Sequence, residues 1–115
     1  MTNPTIWHNP RCSKSRQTLQ LLKDSGYDPV VVDYVNNAPT RAEIIATLDL
    51  LGIAPIALIR MGDARFKEAG LSKNSTDEAL IDAMLQQPIL IERPVVIHKG
   101  KAALGRPPEA VLGIL

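Results

Sequence analysis

The chain predicts an α/β fold in which a four-stranded mixed sheet is interrupted by a helical insert. Three observations carry this. A short strand pattern, a helical stretch and a β-branched run open the chain in the order β-α-β. Two more strand patterns flank Lys99-Gly100-Lys101 near the other end. Between these regions, from about residue 40 to 87, the signals are helical.

Thr5-Ile6-Trp7-His8 reads as a short first strand, with Trp7 as packing, and Asn9-Pro10 breaks it. Residues 13 to about 25 read as a helix that Gly26 stops. Pro29-Val30-Val31-Val32-Asp33-Tyr34 predicts a buried strand. A β-α-β opening favours a right-handed crossover and parallel pairing of its strands. In the middle, Thr40 and Glu43 form a capping-box pattern ahead of Ile44, Ile45, Leu48 and Leu51, and Gly52 ends the run. Pro55 starts a short helix to about Ile59. Another spans about 64 to 69, closed by Gly70, and Ser75 with Glu78 predicts a second capping box before Leu80, Ile81, Met84 and Leu85. After Pro88 the pattern returns to strand. Residues 94–98 and 102–104 form a hairpin, and Pro107-Pro108 opens a last helix with Glu109 in its first turn. Without the middle helices, a thioredoxin-like core remains.

At 115 residues the expectation is a single domain over 1–115, with the insert at about 40–87. The composition is 45% hydrophobic and 22% charged, which is ordinary for a globular protein. Aromatics are 3%, so Leu, Ile, Val and Ala must build the core. A net charge of +1 and few aromatics argue against nucleic acid as a partner. No apolar run reaches the ~18 residues of a membrane span. The first residues lack the features of a signal peptide, and one cysteine makes no internal disulfide; together these predict a cytoplasmic protein. Assigning the core leaves no obvious extra apolar face, which predicts a monomer.

The chemistry concentrates at Cys12. It falls between a strand and a helix, where unpaired N–H groups and the helix dipole stabilise a thiolate and can cradle an oxyanion. Arg11, Lys14 and Arg16 are close in sequence, His8 can approach, and Ser13 and Ser15 add hydroxyls. A cysteine so placed has a depressed pKa and is nucleophilic. The bland alternative, a small buried hydrophobe, is the commoner fate of a lone cysteine. A Cys-x-x-Cys pair is excluded by Ser15, and a Cys-x5-Arg phosphatase loop by Thr18, so any redox cycle must borrow an external thiol. Two histidines and one cysteine, far apart, predict no metal site. His98, at the hairpin, is expected to be exposed.

The run from His8 to Arg16, His-Asn-Pro-Arg-Cys-Ser-Lys-Ser-Arg, resembles the active-site segment of the glutaredoxin-coupled arsenate reductase family. Arg60 in Leu58-Ile59-Arg60, then Ile91-Glu92-Arg93-Pro94, then Gly105-Arg106-Pro107-Pro108-Glu109 extend the resemblance over nearly the whole chain. It implies a thioredoxin-like fold with a helical insert. It also implies that Cys12 is the nucleophile and that Arg60, Arg93 and Arg106 bind the arsenate oxyanion, with a cis Pro94 beside the cysteine. The forked guanidinium suits such an anion. The supporting residues His8 and Ser15 keep two readings each: His8 tuning the thiolate or capping a strand end, Ser15 donating to the sulfur or bonding the helix start. By the same resemblance, no cofactor is bound; glutathione is the co-substrate and glutaredoxin the partner that clears the mixed disulfide. Arg11, Lys14 and the end at Leu115 are closer to a short housekeeping branch. Two other readings stand beside this one. The first is a different glutathione-linked thiol oxidoreductase. The second is a transcription regulator of related fold that binds RNA polymerase, a branch whose usual Cys-x-x-Cys switch Ser15 removes.

Overall fold

A computed structural model describes residues 2–115. Contacts divide it into two compact units. One joins the segment through Asn37 to Arg93–Leu115, and the other is Ala38–Glu92.

The first unit is a thioredoxin-like layer of sheet and helix. Its strands are β1 (Thr5–His8), β2 (Val30–Asp33), β3 (Val95–His98) and β4 (Lys101–Leu104), in the order β2-β1-β3-β4. β1 runs parallel to β2 and antiparallel to β3, and β3 is antiparallel to β4. Helix α1 (Ser13–Asp24) makes the crossover between β1 and β2. It ends at a Ser25 cap, with Gly26 at φ 91°, where a residue without Cβ is unstrained. Ile6, Leu22, Val96 and Val111 are fully buried and form the core, flanked by Leu19, Leu21 and Ala103. The hairpin turns on Lys99 and Gly100, both at positive φ, the signature of a tight turn that matches strand twist.

Two expectations for this unit fail. β2 is an edge strand, and Val30 and Val31 are 55% and 48% exposed rather than buried. The premise that no apolar face is left over falls with them. The last segment, Pro108–Ile114, is a 3₁₀ helix rather than an α-helix, and it packs on β4 and α1. His98 is also corrected: it is 2% exposed. Its ring reaches the carbonyls of Ile114 (Nδ1, 3.0 Å) and Thr2 (Nε2, 3.1 Å), and Tyr27 meets it edge-on at 5.3 Å. β3 thus presents its last residue inward, where it ties Thr2 to Ile114.

The second unit is helical: α2 (Arg41–Leu51), α3 (Pro55–Leu58), α4 (Ala64–Glu68) and α5 (Asp77–Gln86), then a 3₁₀ turn at Pro88–Leu90. α5 packs against α2 and α3. The Thr40–Glu43 capping box forms, with both reciprocal hydrogen bonds present. The second box does not. Thr76 caps α5 by accepting from the Ala79 N–H, while Ser75 Oγ accepts from Ser72 N and closes the preceding turn. Among the described residues no helix is long and apolar enough to cross a membrane.

Candidate active site

The loop after β1 is shaped by its own polar groups. Asn9 is buried; its Oδ1 accepts from Arg11 N (3.0 Å) and its carbonyl accepts from Cys12 N (3.0 Å). Such an Asx turn reverses the chain at low cost and delivers Cys12 to the N-cap of α1 in extended conformation. The Arg16 guanidinium, close to Cys12 in sequence, donates to the Pro10 carbonyl at 2.8 Å and closes the loop from outside.

Cys12 is half-buried and free. Burial pushes its thiol up, but the Ser15 N–H, the Arg93 guanidinium and the Lys14 N–H together outweigh burial, and the pKa is lowered. Those backbone donors are the open N–H groups of the first helical turn. The thiolate is therefore more accessible than in an ordinary cysteine, as the position of Cys12 in sequence predicts.

Ser15 is placed differently from expectation. It is fully buried, and its Oγ accepts from Asn9 N (3.0 Å) and is hydrogen-bonded to His8 Nδ1 (2.6 Å). Its hydroxyl is thus committed beneath the loop, and it is the main-chain N–H of Ser15 that favours the thiolate. Burial lowers the His8 pKa; Asp33 opposes this, and Arg16 and Lys23 add to it. A neutral imidazole packed on Ser15 holds the floor of the loop.

Arg93 faces the cysteine. Burial opposes its charge, but the neighbouring Cys12 and Tyr34 groups outweigh burial and raise its pKa. Its Nε and Nη1 are buried without a hydrogen-bond partner. The Arg93–Pro94 bond is cis, as the resemblance implies; Arg106–Pro107 is cis as well, which nothing in the sequence indicated. Arg106 Nε donates to the Arg93 carbonyl at 2.9 Å. Arg106 reaches Arg93 because Gly105 lies directly on Pro94: Gly105 N donates to Pro94 O at 2.9 Å, and a Cβ there would stand 2.6 Å from Pro94 Cγ and 2.5 Å from Thr18 Oγ1.

Arg60 belongs to the helical unit. Its main-chain N–H donates to the Leu90 carbonyl, next to the bridge between Ile59 and Ile91. Its side chain is about a quarter exposed and pairs with Asp63 (3.5 Å) and, more distantly, Glu92 (3.8 Å). The Asp63 carboxyl is held below its usual range, chiefly by the Arg65 N–H it caps, so it stays charged beside Arg60. Within the first unit, then, Cys12, Arg93, Arg106, Pro94, His8 and Ser15 converge through direct contacts or one intervening group. Tyr34 is the member of this group that sequence reasoning missed. Its only signal was a tyrosine closing an apolar strand, where a polar tip needs a partner.

Known proteins agree with this architecture. Residues 7–114 match the model of the ArsC family. An arsenate reductase of Acidiphilium multivorum is 45% identical over 116 residues, which is 100% of this chain and 82% of that protein. The uncharacterized protein YfgD of Escherichia coli K12 is 47% identical over 112 residues, 96% of this chain and 94% of that protein. A solved arsenate reductase from Vibrio cholerae is 43% identical, superposes with a TM-score of 0.94, and covers 98% of both chains. With the family model matched over residues 7–114 and relatives more than 40% identical over essentially the whole chain, the chain belongs to the ArsC family.

Proposed function

We propose that this protein reduces arsenate to arsenite, with Cys12 as nucleophile and glutathione and glutaredoxin as the external thiols. The observation that carries the reading is the pairing of a favoured thiolate with a guanidinium whose buried Nε and Nη1 have no acceptor in the protein. Buried donors without acceptors are costly, and an oxyanion bound against Cys12 satisfies them. The anion's charge would otherwise repel the attacking thiolate, so the same donors serve catalysis. Arg106 extends the donor set from the Arg93 carbonyl, and the family resemblance alone assigns Arg60 to the same anion. The arsenate reductases among the relatives support the substrate.

In this mechanism the Cys12 thiolate attacks arsenic, an oxygen leaves as water, and a sulfur–arsenic bond forms. The glutathione thiolate then attacks Cys12 Sγ. That bond breaks with its electron pair passing to arsenic, which leaves as arsenite, and a Cys12–glutathione disulfide remains. A glutaredoxin thiol attacks the glutathione sulfur and frees Cys12. One cysteine suffices because both other thiols are external. The chain acts as a cytoplasmic, single-domain monomer without a bound cofactor; the exposed edge of β2 is only four residues long, too short to template a stable pairing.

The binding half of the reading is tested by protection. Arsenate slows iodoacetamide alkylation of Cys12 in native protein and fails to do so in Arg93→Ala. Equal alkylation rates with and without arsenate in native protein refute the site.

A further inference from the structure

The buried face of α1 is Ser15, Thr18 and Leu22. Its first two positions carry hydroxyls, where apolar side chains would pack against a core at less cost. Thr18 is completely buried and β-branched, an unfavourable choice for a helix interior. Its Oγ1 donates to the Lys14 carbonyl at 2.8 Å, in the first turn of the helix that Cys12 caps. This bond back to residue i−4 aims the oxygen. A Cβ on Gly105 would stand 2.5 Å from Thr18 Oγ1 and 2.6 Å from Pro94 Cγ, so Gly105 faces both at close range. The Gly105 N–H donates to Pro94 O, and Arg106 Nε donates to Arg93 O, both at 2.9 Å. The two Arg-Pro segments are thus tied together at Gly105.

From these contacts we infer that Thr18 is a positioning residue for the oxyanion site: its hydroxyl, held by the Lys14 carbonyl, is the stop on which Gly105 seats, and this sets how closely the Arg93 and Arg106 segments approach the Cys12 end of α1. The inference rests on the proposed role of the two arginines and extends it to a residue that acts through them. Oxygen suits the place for two reasons. It is smaller than a methyl group, and its single proton is engaged by Lys14, so no hydrogen is left to crowd Gly105. A valine would set a methyl group against the glycine, and overpacking of this kind displaces backbone.

The experiment compares native protein with Thr18→Val and Thr18→Ser in the full chain. Cys12 is alkylated in each with iodoacetate, an anion, and with iodoacetamide, its neutral analogue. The ratio of the two rates reads the positive charge presented at the sulfur and needs no arsenate. The KM for arsenate reads the donor set. Thr18→Val is expected to lower the ratio about threefold or more and to raise the KM about threefold to tenfold, the scale of one hydrogen bond. Thr18→Ser keeps the oxygen and its proton, and leaves both quantities close to their native values. Thr18→Ala removes the stop without adding bulk and shifts both in the same direction as valine, so the comparison survives if the valine variant does not fold. A ratio and KM that stay native in the valine and alanine variants, with only stability lost, overturn the inference, because Thr18 then serves the fold alone. A serine effect as large as that of valine overturns it as well. If native protein prefers iodoacetate no more than a neutral cysteine peptide does, no guanidinium faces Cys12, and the proposed anion site falls together with this inference.

Discussion

Arg106 donates from Nε to the main-chain carbonyl of Arg93 at 2.9 Å, so one guanidinium fixes the backbone that carries another. The contact predicts a difference between charge and geometry. Arg106→Lys keeps the positive charge but has neither the Nε donor nor the planar fork. On the proposed reaction, steady-state kinetics of this variant show the KM for arsenate raised about tenfold or more, as expected for the loss of a charge-assisted contact. A KM equal to that of native protein would mean that charge alone is required of Arg106.

Gly105 is needed for space rather than for backbone freedom. A Cβ would meet Thr18 Oγ1 at 2.5 Å and Pro94 Cγ at 2.6 Å, and neither neighbour is a flexible chain end. Gly105→Ala is therefore expected to cost ~1–3 kcal/mol by urea unfolding, the usual range for overpacking. It should also weaken arsenate binding, since Arg106 follows Gly105 and Pro94 follows Arg93.

The thiol titration has a definite sign. Cys12 has a lowered pKa in the fold, so above the ordinary thiol range of ~8.5 its ionisation adds stability, and that contribution is lost as pH falls through the folded value. Comparing native protein with Cys12→Ser by chemical denaturation, the stability difference shifts in favour of native protein as pH rises through this window. The midpoint of the alkylation profile should lie below the ordinary thiol value of ~8.5. Arg93→Gln moves the midpoint upward.

For His8 the lowering works in the opposite sense on stability. The unfolded chain takes up a proton near pH ~6.5, before the buried ring does, so the folded state weakens as pH falls from there toward the lower folded value. Ser15→Ala removes the 2.6 Å partner of Nδ1 and the acceptor of Asn9 N, with an expected loss of ~1–3 kcal/mol at pH 7 in a denaturant melt.

His98 belongs to the fold alone. It joins Thr2 to Ile114, so His98→Ala is expected to lose ~2 kcal/mol of stability, from the buried ring and the hydrogen bonds that it makes to both. Cys12 alkylation in that variant, followed at neutral pH, stays at the native rate. A large change there would show that the tie between the chain ends reaches the cysteine loop.

What could be read from the sequence follows from the range of each interaction. β1, α1 with its Gly26 stop, and the Thr40–Glu43 box are local, and local residues specify them. Ser75 and Thr76 are adjacent hydroxyls, each able to cap, and only the turn back to Ser72 decides between them. The Val30–Val31 run looks like a central strand, yet strand order puts it at the edge. His98 looks exposed at a hairpin, but the ends that cover it are 96 and 16 residues away in sequence. At the site, the helix-start position of Cys12 was legible from its neighbours. The contacts of Arg93 with Cys12 and Tyr34 were not, because three separate elements supply them. Arg16 and Ser15 are neighbours of Cys12 in sequence, yet the loop itself consumes both side chains.

The decisive measurement is arsenate-dependent NADPH oxidation with glutathione, glutaredoxin and glutathione reductase, comparing native protein with Cys12→Ser. Turnover by native protein and none by the serine variant is the predicted result. If native protein is inactive while its Cys12 still reacts with glutathione disulfide, arsenate is not the substrate, and the site belongs to a different glutathione-linked thiol exchange.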